Sequence, residues 1–211
     1  MKLGFIGTGN MASAIMGGII SKGVIPADEI IGADLFAPGR ERVKEKFGIH
    51  VTADNNEVVE KADVVLLSVK PQFYADVISG IKDKIRPDQI VITIAPGKTL
   101  SWLAEQFGKD VKIVRCMPNT PAMVGEGMTA ACPNEHMTEE EIEYVKTLLS
   151  SFSLVEIVPE KLMDTVTAVS GSSPAYVFMF IEAMADAAVL DGMPRAQAYK
   201  FAAQAVLGSA K

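Results

Sequence analysis

Cysteine and histidine are scarce in this chain, and long unbroken apolar runs are missing. The two cysteines, Cys116 and Cys132, cannot build a disulfide framework, and neither belongs to a Cys-x-x-Cys pair. They read as buried thiols in a reducing compartment. The two histidines, His50 and His136, lie far apart and lack metal-ligand spacing. Neither a metal site nor a Ser-His-Asp triad is supported, and both read as surface residues. Basic residues are outnumbered, 20 Lys+Arg against 26 Asp+Glu, for a net charge of -6. A nucleic-acid binder needs a clustered basic surface, so no nucleic-acid partner is expected. After Met1-Lys2 the apolar stretch is broken by Gly4, Gly7, Gly9 and Asn10, which leaves no signal-peptide core. The longest uncharged apolar stretch, Thr165 to Ile181, contains Ser170-Gly171-Ser172-Ser173-Pro174 and is not expected to form one membrane helix. A cytoplasmic protein with no membrane partner is the expectation.

What is present suits a globular fold. Of 211 residues, 49% are apolar and 22% charged, an ordinary balance for a chain with a packed core. Short β-rich runs alternate with helical patterns. Strands are predicted at Leu3–Ile6, Ile30–Ala33, Val64–Val69, Ile90–Ala95, Lys112–Cys116 and Leu154–Val158. Several are continuous apolar runs, as in parallel strands covered on both faces. Helices are predicted from Asn10 to Lys22 and from Arg40 to Phe47, stopped by Gly23 and Gly48. A third begins near Pro71, with Phe73, Val77, Ile81 and Ile85 on one stripe. Thr138-Glu139-Glu140-Glu141 reads as a capping box. The alternation implies βαβ units in an α/β fold.

After Pro159 the strands stop. One helix opens at Pro174 and closes at Gly192; another opens at Pro194 and is still unfinished at Lys211. The first is apolar nearly all round through Tyr176-Val177-Phe178-Met179-Phe180-Ile181, which demands burial on several sides. A second subunit is expected to supply it. The predicted organisation is an α/β domain over 1–159 and an all-α dimerisation domain over 160–211.

The chemistry begins at Gly7-Thr8-Gly9-Asn10-Met11-Ala12, directly after the first strand and opening the first helix. Gly7 permits the tight turn, Gly9 leaves room for a pyrophosphate, and Ala12 allows close helix–strand packing. The helix start at Asn10 offers free N–H groups and a positive dipole end. Asp34 closes the second strand, 22 residues after Ala12, near the position of a ribose-binding acid. That acid favours NAD, while Arg40 and Arg42 close behind it offer cations for a 2′-phosphate. On these residues NADH and NADPH both stay open. Ligands in such sheets sit at the carboxyl ends of strands, here Ser68-Val69-Lys70-Pro71, Ala95-Pro96-Gly97 and Cys116-Met117-Pro118-Asn119-Thr120-Pro121. Lys70 is the charged residue among these exits, and Asn119 a candidate contact for nicotinamide or substrate.

The chain resembles the pyrroline-5-carboxylate reductase family over essentially its whole length. The carriers are Gly4-Phe5-Ile6-Gly7-x-Gly9-Asn10-Met11-Ala12, Val69-Lys70-Pro71 and Arg115-Cys116-Met117-Pro118-Asn119-Thr120-Pro121. The most specific is Asp164-x-Val166-Thr167-Ala168-x-Ser170-Gly171-Ser172-Ser173-Pro174-Ala175-Tyr176, with Gly192-Met193-Pro194-Arg195 beyond it. The resemblance implies a Rossmann domain joined to a helical domain that forms a homodimer or a ring of dimers. It implies hydride transfer from NAD(P)H, NADPH before NADH and without a metal, to the imine carbon of 1-pyrroline-5-carboxylate, giving L-proline. It assigns cofactor contacts to Ile6, Gly7, Thr8, Gly9, Asn10, Met11, Asp34, Asn55, Ser68, Val69, Lys70, Pro71, Ala95, Pro96 and Gly97. Substrate contacts fall to Asn119, Glu160 and Ser172. Ser173 stands where the family usually has Gly, a change that suits a helix cap. The family's Ser-Pro-Gly-Gly-Thr-Thr stretch, whose Thr lies near the imine nitrogen, has no counterpart here. The expectation is therefore an incomplete active site with no assignable catalytic residue. Two other readings are a related hydroxyacid dehydrogenase or imine reductase, with Lys161 or Lys200 as its only lysines of note, and a non-catalytic dinucleotide sensor.

Overall fold

Residues 2–211 are described by a computed structural model of the chain; Met1, and the leader reading that starts from it, lie outside the described residues. Eight strands among the described residues form one sheet in the order β3-β2-β1-β4-β5-β6-β7-β8. They are β1 Leu3–Ile6, β2 Ile30–Ala33, β3 His50–Thr52, β4 Val64–Leu67, β5 Ile90–Thr93, β6 Lys112–Met117, β7 Gly127–Pro133 and β8 Ser153–Ile157. β1 to β6 run parallel; β7 is antiparallel to β6 and parallel to β8. Every residue of β1, β2, β4 and β5 is buried, as their continuous apolar sequences require.

Helices cover both faces. α1 (Asn10–Ser21), α2 (Ala37–Phe47) and α6 (Glu139–Leu149) close one core, around Ile15, Met16, Ile19, Val43, Val145 and Leu149. α3 (Asn55–Lys61), α4 (Tyr74–Ile81) and α5 (Leu100–Phe107) close the other, around Val58, Tyr74, Ile78, Leu103 and Phe107. β1 lies between β2 and β4, so the strand order reverses there and opens a crevice at the carboxyl ends.

The departures from the sequence reading have local causes. β4 and β5 stop two residues early, because Ser68 and Ile94 already belong to the turns. β3, β7, α3 and α5 were not expected. β3 is a three-residue edge strand with no buried position, so it carries no apolar run. β7 is built of small residues around Ala130, Ala131 and Cys132. The α4 stripe also differs: Pro71–Phe73 is a tighter 3₁₀ turn, which rotates the register. Phe73 is 52% exposed, and Tyr74 and Ile78 point inward instead. The capping box forms with both halves: Thr138 N donates to Glu141 Oε2 at 2.9 Å and Glu141 N to Thr138 Oγ1 at 3.3 Å.

Beyond Pro159 the backbone is helical: a 3₁₀ turn Glu160–Leu162, α7 (Met163–Val166), a π turn Thr167–Gly171, α8 (Ser173–Leu190) and α9 (Arg195–Ala210). The Ser-Gly-Ser-Ser-Pro stretch was expected to interrupt the helix. It produces only the π turn and a bend at Ser172, and the run Glu160–Leu190 is long and apolar enough to cross a membrane by length and composition. Neither Ser172 nor Ser173 makes a side-chain cap bond. Phe178 and Met179 are 65% and 67% exposed, and Ala185 is the one buried residue of α8.

Candidate active site

The glycine-rich turn after β1 is fixed from two sides. Gly7 has φ +97, a conformation open to glycine, and a Cβ there would come within 2.8–2.9 Å of the Ser68 and Val69 backbone. Ser68 Oγ donates to the Gly7 carbonyl at 2.7 Å, and Gly7 N donates to the Ala33 carbonyl at 2.7 Å. The exits of β1, β2 and β4 thus form one rigid corner. At Gly9 a Cβ would meet nothing within 4 Å. Beside that open space α1 begins with no side-chain cap and no acidic residue in its first turn. Its first N–H groups are available to an anion. This is the cradle a dinucleotide pyrophosphate needs, and the residues fit it. Ala12 is buried against the sheet, as close helix–strand packing demands.

The other predicted cofactor residues distribute along the same edge. Ile6 is buried under the turn, and Asn10 is exposed at the helix start. Met11 is half-buried on the α1 core. Asn55 opens α3 beyond β3, next to Asp54, whose carboxylate accepts from Asn56 N at 2.9 Å. Val69, Lys70 and Pro71 follow β4, with Lys70 exposed. Ala95 is buried, and Pro96 and Gly97 are exposed after β5. Lys98 Nζ sits 4.0 Å over the Trp102 ring just past that turn. At the end of β2, Asp34 Oδ2 accepts from both Thr8 N and Thr8 Oγ1, at 2.8 and 3.0 Å. Arg40 Nη1 donates to the Asp34 carbonyl at 2.5 Å and Arg42 Nη2 to the Thr8 carbonyl at 3.2 Å.

The substrate candidates come together less simply. The chain from Glu160 to Gly171 runs along the β6–β7 face. Glu160 Oε1 accepts from Arg115 Nη1 at 2.8 Å and from Leu100 N at 2.7 Å. Met163 packs with Ala130 and Cys132, and a Cβ on Gly171 would strike Met117. At the top, Asn119 Nδ2 donates to the Ser170 carbonyl at 3.0 Å, while its Oδ1 accepts from Met128 N at 2.8 Å. Asn119 therefore meets the Ser170 carbonyl at the carboxyl end of β6, two residues before Ser172 in the chain, and Glu160 is held lower, at the start of α5. The Arg115 ion pair escaped the sequence reading, although a charge inside the apolar strand Lys-Ile-Val-Arg-Cys-Met was its signal.

Burial pushes the Cys116 thiol up, with the neighbouring Cys132 adding to the effect. Burial also raises Tyr74, to about 12; its hydroxyl donates to the Leu67 carbonyl at 2.6 Å and its role is structural. Among the described residues no group of three or more His, Cys, Asp or Glu side chains is placed to hold a metal. A cavity of about 730 Å³ lies elsewhere, over the outer face of α1 between α2 and the turn Thr120–Val124. It touches the dinucleotide corner only through Asn10 and Arg42. We place the chemistry at the strand ends, where the donors converge.

Comparison with known proteins agrees with this geometry. Residues 2–97 match a family described as NADP oxidoreductase, coenzyme F420-dependent, and residues 160–211 match the pyrroline-5-carboxylate reductase dimerisation family. The pyrroline-5-carboxylate reductase of Escherichia coli K12 is 49% identical over all of this chain and 78% of its own length. The chain belongs to the pyrroline-5-carboxylate reductase family. It is accordingly an oxidoreductase with a Rossmann-type N-terminal fold and a helical dimerisation segment. The reductase of Methanosarcina acetivorans is 41% identical over all of this chain and 78% of its own length. Among solved structures, the reductase from Coxiella burnetii superposes with a TM-score of 0.92 at 35% identity, covering 99% of this chain and 78% of that one. A Plasmodium falciparum reductase with NADP bound gives 0.91 at 32%, covering 100% and 77%. Lys161 and Lys200, the lysines weighed for a hydroxyacid dehydrogenase, are both exposed.

Proposed function

We propose that this chain reduces 1-pyrroline-5-carboxylate to L-proline with NADPH, as a homodimer or a ring of dimers built through the helical segment. The single observation that carries the reading is the crevice at the β1–β4 switch. There an uncapped helix start, an open Gly9 and the loops after β4 and β5 converge, beside a substrate region from Asn119 to Pro174. Family membership supplies the reaction.

The pyrophosphate is assigned to the α1 N-terminus and Gly9, the nicotinamide side to Ser68–Pro71 and Ala95–Gly97, and the adenosine side to the corner of Asp34, Arg40 and Asn55. Arg40 and Arg42 bring two cations to that corner, which supports NADPH over NADH. When bound, the cofactor supplies a hydride. The protein aligns the two reactants and excludes water, which is where most of the rate comes from when the electrophile is already a protonated imine. Asn119 and the Ser170–Pro174 turn frame the substrate, and Glu160 acts from below through Arg115 and α5. Residues 1–159 then form the cofactor unit and 160–211 the dimerisation unit. The exposed apolar face of α8 supports the second subunit.

The test is NADPH and NADH consumption with 1-pyrroline-5-carboxylate, run beside a binding titration of each cofactor. Proline formation establishes the reductase. Cofactor binding without turnover would limit the chain to a dinucleotide-binding role, and no binding of either would overturn the reading.

A further inference from the structure

Asp34 ends β2 where a carboxylate ordinarily receives a ribose hydroxyl, yet its bonds lead elsewhere. Oδ2 accepts from Thr8 N at 2.8 Å and from Thr8 Oγ1 at 3.0 Å, and Oδ1 accepts from Phe36 N at 3.0 Å. A carboxylate offers about four acceptor positions, so three are filled, two by one residue. Thr8 is fully buried. Its methyl lies against β2, where a Cβ on Gly32 would approach it to 3.0 Å. Its carbonyl is held by Arg42 Nη2 at 3.2 Å. Thr8 is thus gripped on its N–H, its hydroxyl, its carbonyl and its methyl, and the Asp34 carboxylate supplies two of the four. Thr8 is also the residue between the two glycines that shape the pyrophosphate cradle.

We infer that Asp34 is a positioning residue for the glycine-rich turn: acting through Thr8, it holds Gly7–Asn10 in the shape that receives a pyrophosphate, and it does not decide between NADH and NADPH. The inference rests on the dinucleotide-binding reading of that turn. Its charge is spent on short N–H and O–H bonds inside the corner. Because both cofactors carry the same pyrophosphate, a fault in the cradle costs them equally, whereas loss of a ribose ligand weakens the cofactor with the free 2′-hydroxyl alone.

The experiment measures dissociation constants for NADPH and NADH on wild type and on Asp34→Ala, Asp34→Asn, Thr8→Val and the double variant Asp34→Ala/Thr8→Val. Asp34→Ala is expected to weaken both cofactors by about tenfold, with their ratio unchanged within about twofold. Asp34→Asn, whose amide oxygen still accepts the two Thr8 bonds while its NH2 cannot accept the one from Phe36 N, is expected to recover part of that loss, equally for both cofactors. Thr8→Val removes only the hydroxyl and weakens both cofactors to a smaller, equal degree. The double variant is no worse than Asp34→Ala by more than a small factor, because both changes act on one contact. Selective loss of NADH in Asp34→Ala, or a gain in NADPH affinity, would overturn the inference. Should Asp34→Ala fail to fold, equal weakening of both cofactors in Thr8→Val supports the brace, and no change in either overturns it. A wild-type chain that binds neither cofactor removes the dinucleotide reading itself, an outcome distinct from a shifted ratio.

Discussion

The Asn119 side chain takes up a hydrogen bond that Pro174 cannot make. Proline has no N–H to offer the carbonyl one turn back, that of Ser170. Asn119 Nδ2 donates to that oxygen at 3.0 Å, and its Oδ1 receives Met128 N at 2.8 Å. One amide thereby ties the end of β6 to the start of β7 and to the π turn before α8. Asn119→Ala strands two polar groups and is expected to cost about 2–4 kcal/mol. Asn119→Asp keeps the Met128 bond and faces the Ser170 carbonyl with an acceptor, so it does not recover the loss. Urea denaturation of both variants checks this; a midpoint equal to wild type would show that the bridge carries no weight.

Glu160 and Arg115 pin the lower end of the same segment. The Arg115 side chain is 8% exposed, so losing its partner leaves a charge nearly buried and unpaired. Glu160→Ala is expected to destabilise by about 3 kcal/mol. Glu160→Gln keeps an acceptor for Leu100 N and loses less. Thermal unfolding of the pair orders the two effects, and an Ala variant as stable as the Gln variant would refute the account.

At the adenosine corner, Arg40→Ala/Arg42→Ala is expected to raise the NADPH dissociation constant about tenfold more than that of NADH. A titration of both cofactors reads the ratio. Equal weakening would assign the two arginines to holding the loop through their carbonyl contacts rather than to a 2′-phosphate.

Acid should act through Glu141. Burial works to raise its pKa, but the bond from the Lys112 ammonium and the Thr138 N–H outweigh burial and hold it below the ordinary carboxylate value. A group depressed on folding contributes stability above its unfolded pKa and loses it as pH falls through the folded one. The stability gap between wild type and Glu141→Gln is therefore widest near neutrality and closes in acid. Denaturation midpoints across that range test the sign; a gap that widens in acid would contradict it.

The apolar face of α8 predicts its own assay. Phe178→Asp places a charge on a surface that is 65% exposed in one chain, at no cost to a monomer. Sedimentation is expected to show the wild type associated and the variant dissociated. A wild type that sediments as a monomer would leave that face without its proposed partner.

Elements dominated by apolar burial were legible in the sequence, among them β1, β2, β4 and β5, along with the Thr138 capping box and the Gly7–Ala12 turn. Elements set by tertiary contact were not. β3 is specified by its pairing with β2, and β7 by its antiparallel fit to β6, with small side chains that give no period. Phe73 was read onto the core stripe because a 3₁₀ turn and an α-helix look alike in sequence over one turn. At the site, the identities of Thr8, Asp34 and Asn119 were visible. The bonds from Thr8 to Asp34 and from Asn119 to Ser170 join residues 26 and 51 positions apart, and no local pattern encodes such pairs.

The single tryptophan of the chain, Trp102, lies just past Pro96-Gly97 with the Lys98 ammonium over its ring. A reduced nicotinamide absorbs where indole emits, so a cofactor entering beside that turn quenches the tryptophan by energy transfer. With no second indole to dilute the signal, a cofactor held at that turn as proposed would make the native protein its own optical reporter, and ligand arrival could be followed in real time without a label.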